Sequence, residues 1–371
     1  MLKDVYEELR ELLDRHPFDC PPAREIQEIL RILFTPEEAA VAMGLSFVPL
    51  GVQQIAERAG VVLQEADEKL KSMADKGVIF ARRKEGVWGY ALFSLLPLFE
   101  NPYRKGVRNE TLEKLTPLWQ SYWKIVSKFC GTTEYKQTPF LRVIPIQQAI
   151  EYKAEVLNYE KVFEMIDRAR VVGISHCACR SLQQNCQAPR ETCMVFDSMC
   201  TYMVERGFAR YLSKEEMKNK LKEFDQEGLV RMVNNTRDRL EFVCHCCSCC
   251  CVSLRRLLES GCAGVIANSS LVSENDPDRC TGCGVCADQR CPVKAIEMKE
   301  ERPVVREAQC LGCGLCVTGC PNNAMNMRPR AEITEPFANL SEWGMHALQA
   351  RGGFEAFLEV MNPAFRAKQV K

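Results

Sequence analysis

Eight cysteines near the C-terminus stand in two runs with the same spacing. Each run has the form C-x-x-C-x-x-C and is followed by one more cysteine, directly before a proline. Three thiolates at this spacing bind one iron–sulfur cube, and the cysteine before the proline binds the other cube. We therefore predict two [4Fe–4S] clusters. The predicted ligands of the first are Cys280, Cys283, Cys286 and Cys320, and those of the second are Cys310, Cys313, Cys316 and Cys291. Two zinc sites would not explain three cysteines and a Cys-Pro in each run.

A second concentration of cysteines lies in the middle of the chain. It comprises a segment from Cys177 to Cys193 and the segment Cys244-His-Cys-Cys-Ser-Cys-Cys-Cys251. So many crowded thiols in a reducing environment favour metal binding or redox chemistry over simple packing. We predict a third [4Fe–4S] cluster that the two segments hold jointly. Its candidate ligands are Cys177, Cys179, Cys186, Cys193, Cys246, Cys247, Cys249 and Cys250.

Two alternatives stay open for this middle site. The thiols are numerous enough for two clusters, and a zinc site could combine cysteines with His176 or His245. Arg180 could stabilise an anionic cluster or form a surface salt bridge. Isolated cysteines elsewhere are interpreted as buried packing residues. These are Cys20, Cys130, Cys200 and Cys262.

The two C-terminal runs are also an internal repeat, because residues 280–298 align with residues 310–327 with one gap. Over residues 272–330 the chain resembles the bacterial-type dicluster ferredoxin domain. The resemblance implies two pseudo-symmetric halves, each with a short hairpin and a helix. One departure is that four residues, Ala287–Arg290, separate Cys286 from Cys291, where three are common.

When the ferredoxin-like region and the middle cysteine segments are considered together, the chain is similar to uncharacterised multi-cluster ferredoxin proteins of anaerobic bacteria and archaea. They combine a C-x-C-R segment, a C-x-C-C-x-C-C-C segment and a terminal dicluster ferredoxin. The resemblance covers residues 145–330 and, more loosely, the N-terminal third. It implies electron transfer and leaves the substrate open.

The composition limits the functional classes. The chain has 371 residues, 49 basic and 49 acidic side chains, and 22 cysteines, most of them clustered at metal-ligand spacings. We expect two or three domains, a reducing and therefore cytoplasmic location, and no general attraction to nucleic acid. We expect no signal peptide and no membrane span, because the longest apolar run is about half the roughly 20 residues that cross a bilayer.

Several elements are predicted around these cysteines. In the N-terminal third, a capped helix begins at Thr35, two further helices end at Gly60 and Gly77, and a hairpin follows. This order resembles a winged helix. Residues 1–100 carry 12 basic and 17 acidic residues, so we expect this region to contact protein and not nucleic acid.

The predicted fold class is α+β. It has a winged-helix-like domain (1–100), a mainly helical cysteine-rich domain (101–270), a dicluster ferredoxin domain (271–330) and a helical tail (331–371). In the middle domain we expect a strand over residues 171–174, a capped helix from Ser213 to Gly228 and a helix over residues 253–261.

The predicted function is electron transfer, either alone or as a subunit of a redox complex. The chain has no G-x-G-x-x-G fingerprint and no P-loop, so flavin or nucleotide would come with a partner such as a flavoprotein or oxidoreductase subunit. Two alternatives remain. One is a thiol or disulfide reductase whose middle cluster binds substrate, and the other is a redox-sensing transcription regulator.

Overall fold

The structure is a computed structural model that describes residues 4–129, 138–146, 149, 161–261 and 263–362. The chain divides into two compact units. The first unit is Met1–Phe129, Glu205–Phe208 and Gly344–Lys371, and the second is Cys130–Val204 and Ala209–Trp343. The ferredoxin-like region therefore belongs to the same unit as the cysteine-rich middle region.

The first unit is mostly helical and contains one hairpin. Its elements are α1 (Val5–Asp14), α2 (Arg24–Leu33), α3 (Pro36–Ala42), α4 (Val52–Ala59), α5 (Leu63–Lys76), β1 (Ile79–Lys84), β2 (Val87–Leu92), α6 (Leu95–Arg104) and α7 (Glu110–Phe129). The predicted start of α3 is confirmed, because Thr35 and Glu38 form a reciprocal capping box. Helices and hairpin follow in the predicted order, and the winged-helix interpretation stays a prediction.

The second unit is built on a seven-stranded sheet. Its first elements are β3 (Leu141–Ile144), α8 (Val162–Arg168), β4 (Val172–His176), α9 (Ala178–Gln183), β5 (Glu191–Phe196), α10 (Asp197–Glu205), β6 (Arg210–Leu212), α11 (Lys214–Gln226), β7 (Val230–Asn234), β8 (Phe242–Cys246), α12 (Val252–Ser260) and β9 (Ile266–Ala267). The strand order is β6-β4-β5-β8-β7-β3-β9. All pairs are antiparallel except β3 with β9.

The middle domain predicted as mainly helical contains this seven-stranded sheet beside its helices, and the sheet was not predicted. The strands are short, and β5 and β7 are almost entirely buried, so they lack the alternation of apolar and polar residues that identifies a half-exposed strand. The predicted strand at residues 171–174 corresponds to β4, and the two predicted helices correspond to α11 and α12.

The two faces of this sheet pack against different partners. On one face, residues such as Ile174 and Met194 pack against Leu221 and Phe224 of α11. On the other face, residues such as Val143 and Met232 pack against the ferredoxin-like region and α12. Successive residues of a strand point to opposite faces. Cysteines at alternate positions along a strand therefore face the same side of the sheet, and the position of each cysteine decides whether it faces the ferredoxin-like region.

The ferredoxin-like region consists of short paired strands and one helical turn in each half. It contains β10 (Leu271–Asn275), a π-helical turn (Cys286–Arg290), β11 (Ile296–Lys299), β12 (Arg302–Val305), α13 (Leu315–Thr318) and β13 (Met325–Pro329). Strand β10 pairs with β13, and β11 pairs with β12. The π-helical turn stands where the second half has α13, so it accommodates the extra residue before Cys291.

The C-terminal segment predicted as a tail contains two helices. These are α14 (Leu340–Ala350) and α15 (Phe354–Met361), and residues 363–371 lie outside the described residues. Within the described ranges, no helix is long and apolar enough to cross a membrane.

Candidate metal centres

The two predicted ligand sets of the ferredoxin-like region each surround a cavity, which we call site 1 and site 2. Site 1 has about 310 Å³ of empty space and is lined by Cys280, Cys283, Cys286 and Cys320, together with Met298 and Met325. Site 2 has about 320 Å³ and is lined by Cys310, Cys313, Cys316 and Cys291, together with Ser273 and Met327. In each case the cysteine before the proline lies at the site formed by the other run.

Backbone amides near the sulfurs follow the same pattern in both halves. The N–H of Ala295 donates to Sγ of Cys291 at 3.1 Å, and the N–H of Ala324 donates to Sγ of Cys320 at 3.2 Å. Hydrogen bonds of this kind stabilise a reduced, more negative cluster and raise its potential. Thiols, amides and apolar side chains with no carboxylate lining are the donor set that a [4Fe–4S] cluster requires, so the residues present fit the group.

Gly312 is required by both its backbone conformation and its surroundings. Its φ is +71°, and a Cβ there would lie 2.1 Å from the carbonyl oxygen of Leu271. Only glycine adopts this conformation without strain. The loop of site 2 therefore lies against strand β10 at a distance that no other residue allows.

The two sites differ in exposure. The Cys283 side chain of site 1 is exposed, whereas Cys310, Cys313 and Cys316 of site 2 are buried. Burial raises the pKa of Cys316 to about 12 and that of Cys313 further, whereas a hydrogen bond from the Gly282 amide lowers the pKa of Cys280. A bound metal replaces the thiol protons and removes this desolvation cost.

The middle cysteines separate into two groups. The outer group is Cys186, Cys247, Cys249 and Cys250, whose sulfur atoms all lie within 4.8 Å of one another. Its Sγ–Sγ distances include 3.7 Å from Cys186 to Cys247 and 3.8 Å from Cys250 to both Cys186 and Cys249. The group combines one cysteine of the first segment with three of the second, as predicted for a shared site.

The inner group is a chain of thiol contacts. It runs through Cys177, Cys179, Cys251, Cys246 and Cys244. A hydrogen bond with the Cys179 thiol, together with burial, raises the pKa of Cys177 well above its usual value. Hydrogen bonds from the Cys179 and Cys246 thiols hold the pKa of Cys251 well below that value.

The secondary structure explains how the inner group forms. Cys177 precedes α9 and follows β4, Cys244 and Cys246 alternate on β8, and Cys251 is the N-cap residue of α12. In the β5–β8 ladder Met194 lies opposite Val243, so the same register brings Cys193 opposite Cys244. The predicted residue Cys193 thus lies beside the inner group.

The inner group also adjoins site 2. Cys246 and Cys251 belong to the same buried apolar cluster as Cys310 and Cys313. A backbone hydrogen bond of 3.0 Å from Ile146 to the carbonyl of Cys313 joins the middle region to the loop of site 2. Cys246 and Cys251 of the inner group therefore share one apolar core with Cys310 and Cys313 of site 2.

Arg180 lies between the inner and outer groups. Its side chain is 2% exposed, Nη1 is 3.9 Å from Sγ of Cys247, and Nη2 donates to the carbonyl of His245 at 2.8 Å. Burial lowers the pKa of the guanidinium, but the thiolates of Cys177, Cys246 and Cys247 raise it more. Among the described residues the buried Arg180 guanidinium donates to the Thr192 hydroxyl and the His245 carbonyl and pairs with no carboxylate, so the alternative that Arg180 forms a surface salt bridge is wrong.

His245 does not face the thiols. Its ring packs against Phe224 at 4.7 Å between centroids, and its Nδ1 hydrogen-bonds the carbonyl of Thr192 at 2.9 Å. Because neighbouring residues of β8 point to opposite faces, the ring lies on the side away from Cys244 and Cys246. The alternative zinc site with His245 as a ligand is thus disfavoured.

The sequence interpretation omitted two members of the inner group, Cys244 and Cys251. The sequence did offer one indication that Cys251 is a candidate ligand. Cys251 stands directly before a helix, and helix N-termini favour thiolates. Cys20 and Cys200 are buried as predicted. Cys130 and Cys262 lie outside the described residues.

Comparison with known proteins identifies the C-terminal region. Residues 279–324 match the model of the 4Fe-4S dicluster domain. The chain is 33% identical over 91 residues to an uncharacterized ferredoxin of Methanocaldococcus jannaschii (24% of this chain, 53% of the relative). It is 44% identical over 50 residues to the ferredoxin-type protein NapF of Haemophilus influenzae (12% and 28%). It is 35% identical over 78 residues to the archaeal glutamate synthase [NADPH] of Archaeoglobus fulgidus (20% and 14%).

These matches cover between 11% and 53% of the length of the curated relatives. No solved structure matches the chain. The matched domain spans both cysteine runs, and those runs enclose the two cavities described above. The chain is therefore a ferredoxin-like iron–sulfur protein with a dicluster domain at its C-terminus.

Proposed function

We propose that the protein transfers electrons between a redox partner at site 1 and a third [4Fe–4S] centre held by the inner group. The observation that carries this proposal is the shared buried cluster of site 2 and the inner thiols. Bound [4Fe–4S] clusters accept and donate single electrons. The proposal gives the chain three such centres in the order site 1, site 2, inner group.

The proposed ligands of the third centre are four cysteines from the two middle segments. They are Cys177, Cys179, Cys246 and Cys251. Cys246 and Cys251 are buried, Cys177 and Cys179 are half-buried, and Arg180 supplies a positive charge beside the group. Burial without a compensating metal leaves most of these thiols protonated, so cluster loading and deprotonation are coupled.

Exposure assigns different roles to the two ferredoxin sites. Site 1 has the exposed Cys283, whereas three of the four cysteines at site 2 are buried. A partner protein contacting the surface near Cys283 approaches site 1 first. Site 2 then relays electrons to the inner group without contact with solvent. The partner is proposed to be a flavoprotein or oxidoreductase subunit, and the similarity to an NADPH-dependent glutamate synthase supports a redox-enzyme setting.

The charge arrangement of α5 supports protein contact over DNA binding for the first unit. Each of its three lysines lies beside a carboxylate, with Nζ to carboxylate distances of 3.9 Å for Lys69, 2.6 Å for Lys71 and 2.6 Å for Lys76. Phosphate contacts need uncompensated positive charge. We therefore do not propose a transcription regulator.

The experiment is an iron and acid-labile sulfide count on the anaerobically purified full chain. The wild type should contain about twelve irons, since each of three cubes holds about four. The double variant Cys246→Ser/Cys251→Ser should contain about eight and keep both C-terminal signals in electron paramagnetic resonance (EPR) spectra. The matched control is Cys200→Ser, because Cys200 is buried but belongs to neither group. A double variant that retains the full iron content would refute the third centre.

A further inference from the structure

We propose that the outer group is a separate site for a single zinc ion, bound by Cys186, Cys247, Cys249 and Cys250. The proposal goes beyond electron transfer, because zinc has no redox chemistry in proteins. It also does not depend on whether the inner group holds a cluster. Iron analysis tests the cluster at the inner group, and zinc analysis tests the site at the outer group.

The sulfur geometry fits one metal ion. A tetrahedron with metal–sulfur bonds of about 2.3 Å has sulfur–sulfur edges of about 3.8 Å. Three of the six sulfur–sulfur distances in the outer group are 3.7, 3.8 and 3.8 Å, and all four sulfur atoms lie within 4.8 Å of one another. Four cysteines at the corners of such a tetrahedron form a closed structural zinc site with no open position.

The other cysteine groups of the same chain have a different geometry. In an iron–sulfur cube each thiolate binds a different iron, so its four ligands stand farther apart than around one ion. The cysteines of sites 1 and 2 each line the wall of a pocket, and the inner thiols form an extended chain. Among the residues that the structure describes, the outer group is the one set of three or more ligand atoms that all lie within 4.8 Å.

A hydrogen bond connects the two segments that would bind the ion, and another holds the turn of the second segment. The side-chain Nδ2 of Asn185 donates to the carbonyl of Cys249 at 2.9 Å, and the N–H of Cys251 donates to the carbonyl of Cys247 at 3.0 Å. The first bond joins the loop after α9 to the turn before α12, and the second closes that turn. A zinc ion here would fix both segments that carry the inner cysteines.

The charges around the outer group are also compatible with four thiolates bound to zinc. Four thiolates around a zinc ion leave a net negative charge, and the Arg180 guanidinium lies 3.9 Å from Sγ of Cys247. Because its Nε has no hydrogen-bond partner in the described structure, this buried cation depends on nearby anions for its stabilisation. With zinc bound, Arg180 would therefore lie between two anionic groups, the zinc-bound thiolates of the outer group and the thiolates of the inner group.

The experiment is metal analysis of the full chain, purified anaerobically from cells grown with both iron and zinc. We expect about one zinc per chain in addition to the iron, as for a structural site with four cysteine ligands. The variants Cys186→Ser and Cys249→Ser should each lose the zinc and keep the iron and sulfide content of the wild type. Cys200→Ser, the matched control, should keep both metals.

Zinc K-edge X-ray absorption provides a readout that does not depend on variants. The expected spectrum has a shell of about four sulfur atoms at about 2.3 Å. Absence of zinc together with about sixteen irons would overturn the inference and indicate a fourth cube. Zinc retained in both variants, or a shell of nitrogen and oxygen, would overturn it as well. Loss of iron from Cys246→Ser/Cys251→Ser tests the third cluster separately.

Discussion

Replacing Arg180 with methionine should lower the reduction potential of the inner centre. Arg180 is buried between the two middle cysteine groups, and the thiolates of Cys177, Cys246 and Cys247 raise the pKa of its guanidinium. A reduced cluster carries one more negative charge than an oxidised one. Removal of a nearby positive charge therefore disfavours the reduced state. Methionine has a similar length and no charge, so the change removes mainly the electrostatic contribution.

The magnitude follows from Coulomb's law for a charge close to the cluster. A unit charge roughly 6 Å from the cluster interacts with the added electron by about 3 kcal/mol at an effective dielectric constant of about 20. A tenfold change in a one-electron equilibrium is about 59 mV, or about 1.4 kcal/mol, so the expected shift is about 120 mV to more negative potential. Arg180→Lys retains the charge and should shift the potential by less than half as much.

The assay is a redox titration of the anaerobic full chain followed by EPR. Arg142→Met is a matched control, because Arg142 is also buried in the second unit but hydrogen-bonds to Asn235 and to the carbonyl of Asn268. The Arg142→Met variant should leave the reduction potentials of all clusters unchanged. An inner cluster with an unchanged or raised potential in Arg180→Met, or an equal shift at both ferredoxin sites, would refute the reasoning.

Three further predictions concern other parts of the chain. Cys320→Ser should alter the EPR signal of site 1 and leave site 2 intact, and the reverse pattern would contradict the crossed arrangement. Gly312→Ala should abolish cluster binding at site 2, because its Cβ would meet the Leu271 carbonyl at 2.1 Å, whereas Gly261→Ala, with a similar φ and open space, should keep the cluster. If alanine at position 312 retained the irons of site 2, the close approach would be unimportant. Selection from random DNA duplexes should return no enriched sequence, and an enriched site with a steep salt dependence would favour the regulator.

The sequence was most informative where the determinants are local. The two C-terminal cysteine runs specify their own ligand geometry within a short stretch of chain, and the repeat makes the pairing of the halves evident. Capping boxes at Thr35 and Ser213 fix helix starts through contacts three residues apart. In each case one short segment contains all the information that the prediction needs.

The sequence was least informative where distant segments meet. The sheet brings β4, β5 and β8 together, and no short-range pattern indicates that order. Strand alternation separates His245 from Cys244 and Cys246, but this conclusion requires the strand to be recognised first. The division of the middle cysteines into two groups likewise depends on the positions of α9 and α12. Spacing alone predicted a shared site and could not say which thiols meet.

Magnetic coupling between site 2 and the inner centre is the most direct measurement of the proposed electron path. EPR spectra of the stepwise reduced full chain should show spin–spin interaction among its clusters. In Cys246→Ser/Cys251→Ser the component that involves the inner centre should disappear, while the interaction between the two ferredoxin sites remains. Identical spectra for the wild type and this double variant, at equal iron content of sites 1 and 2, would contradict electron transfer through the inner group.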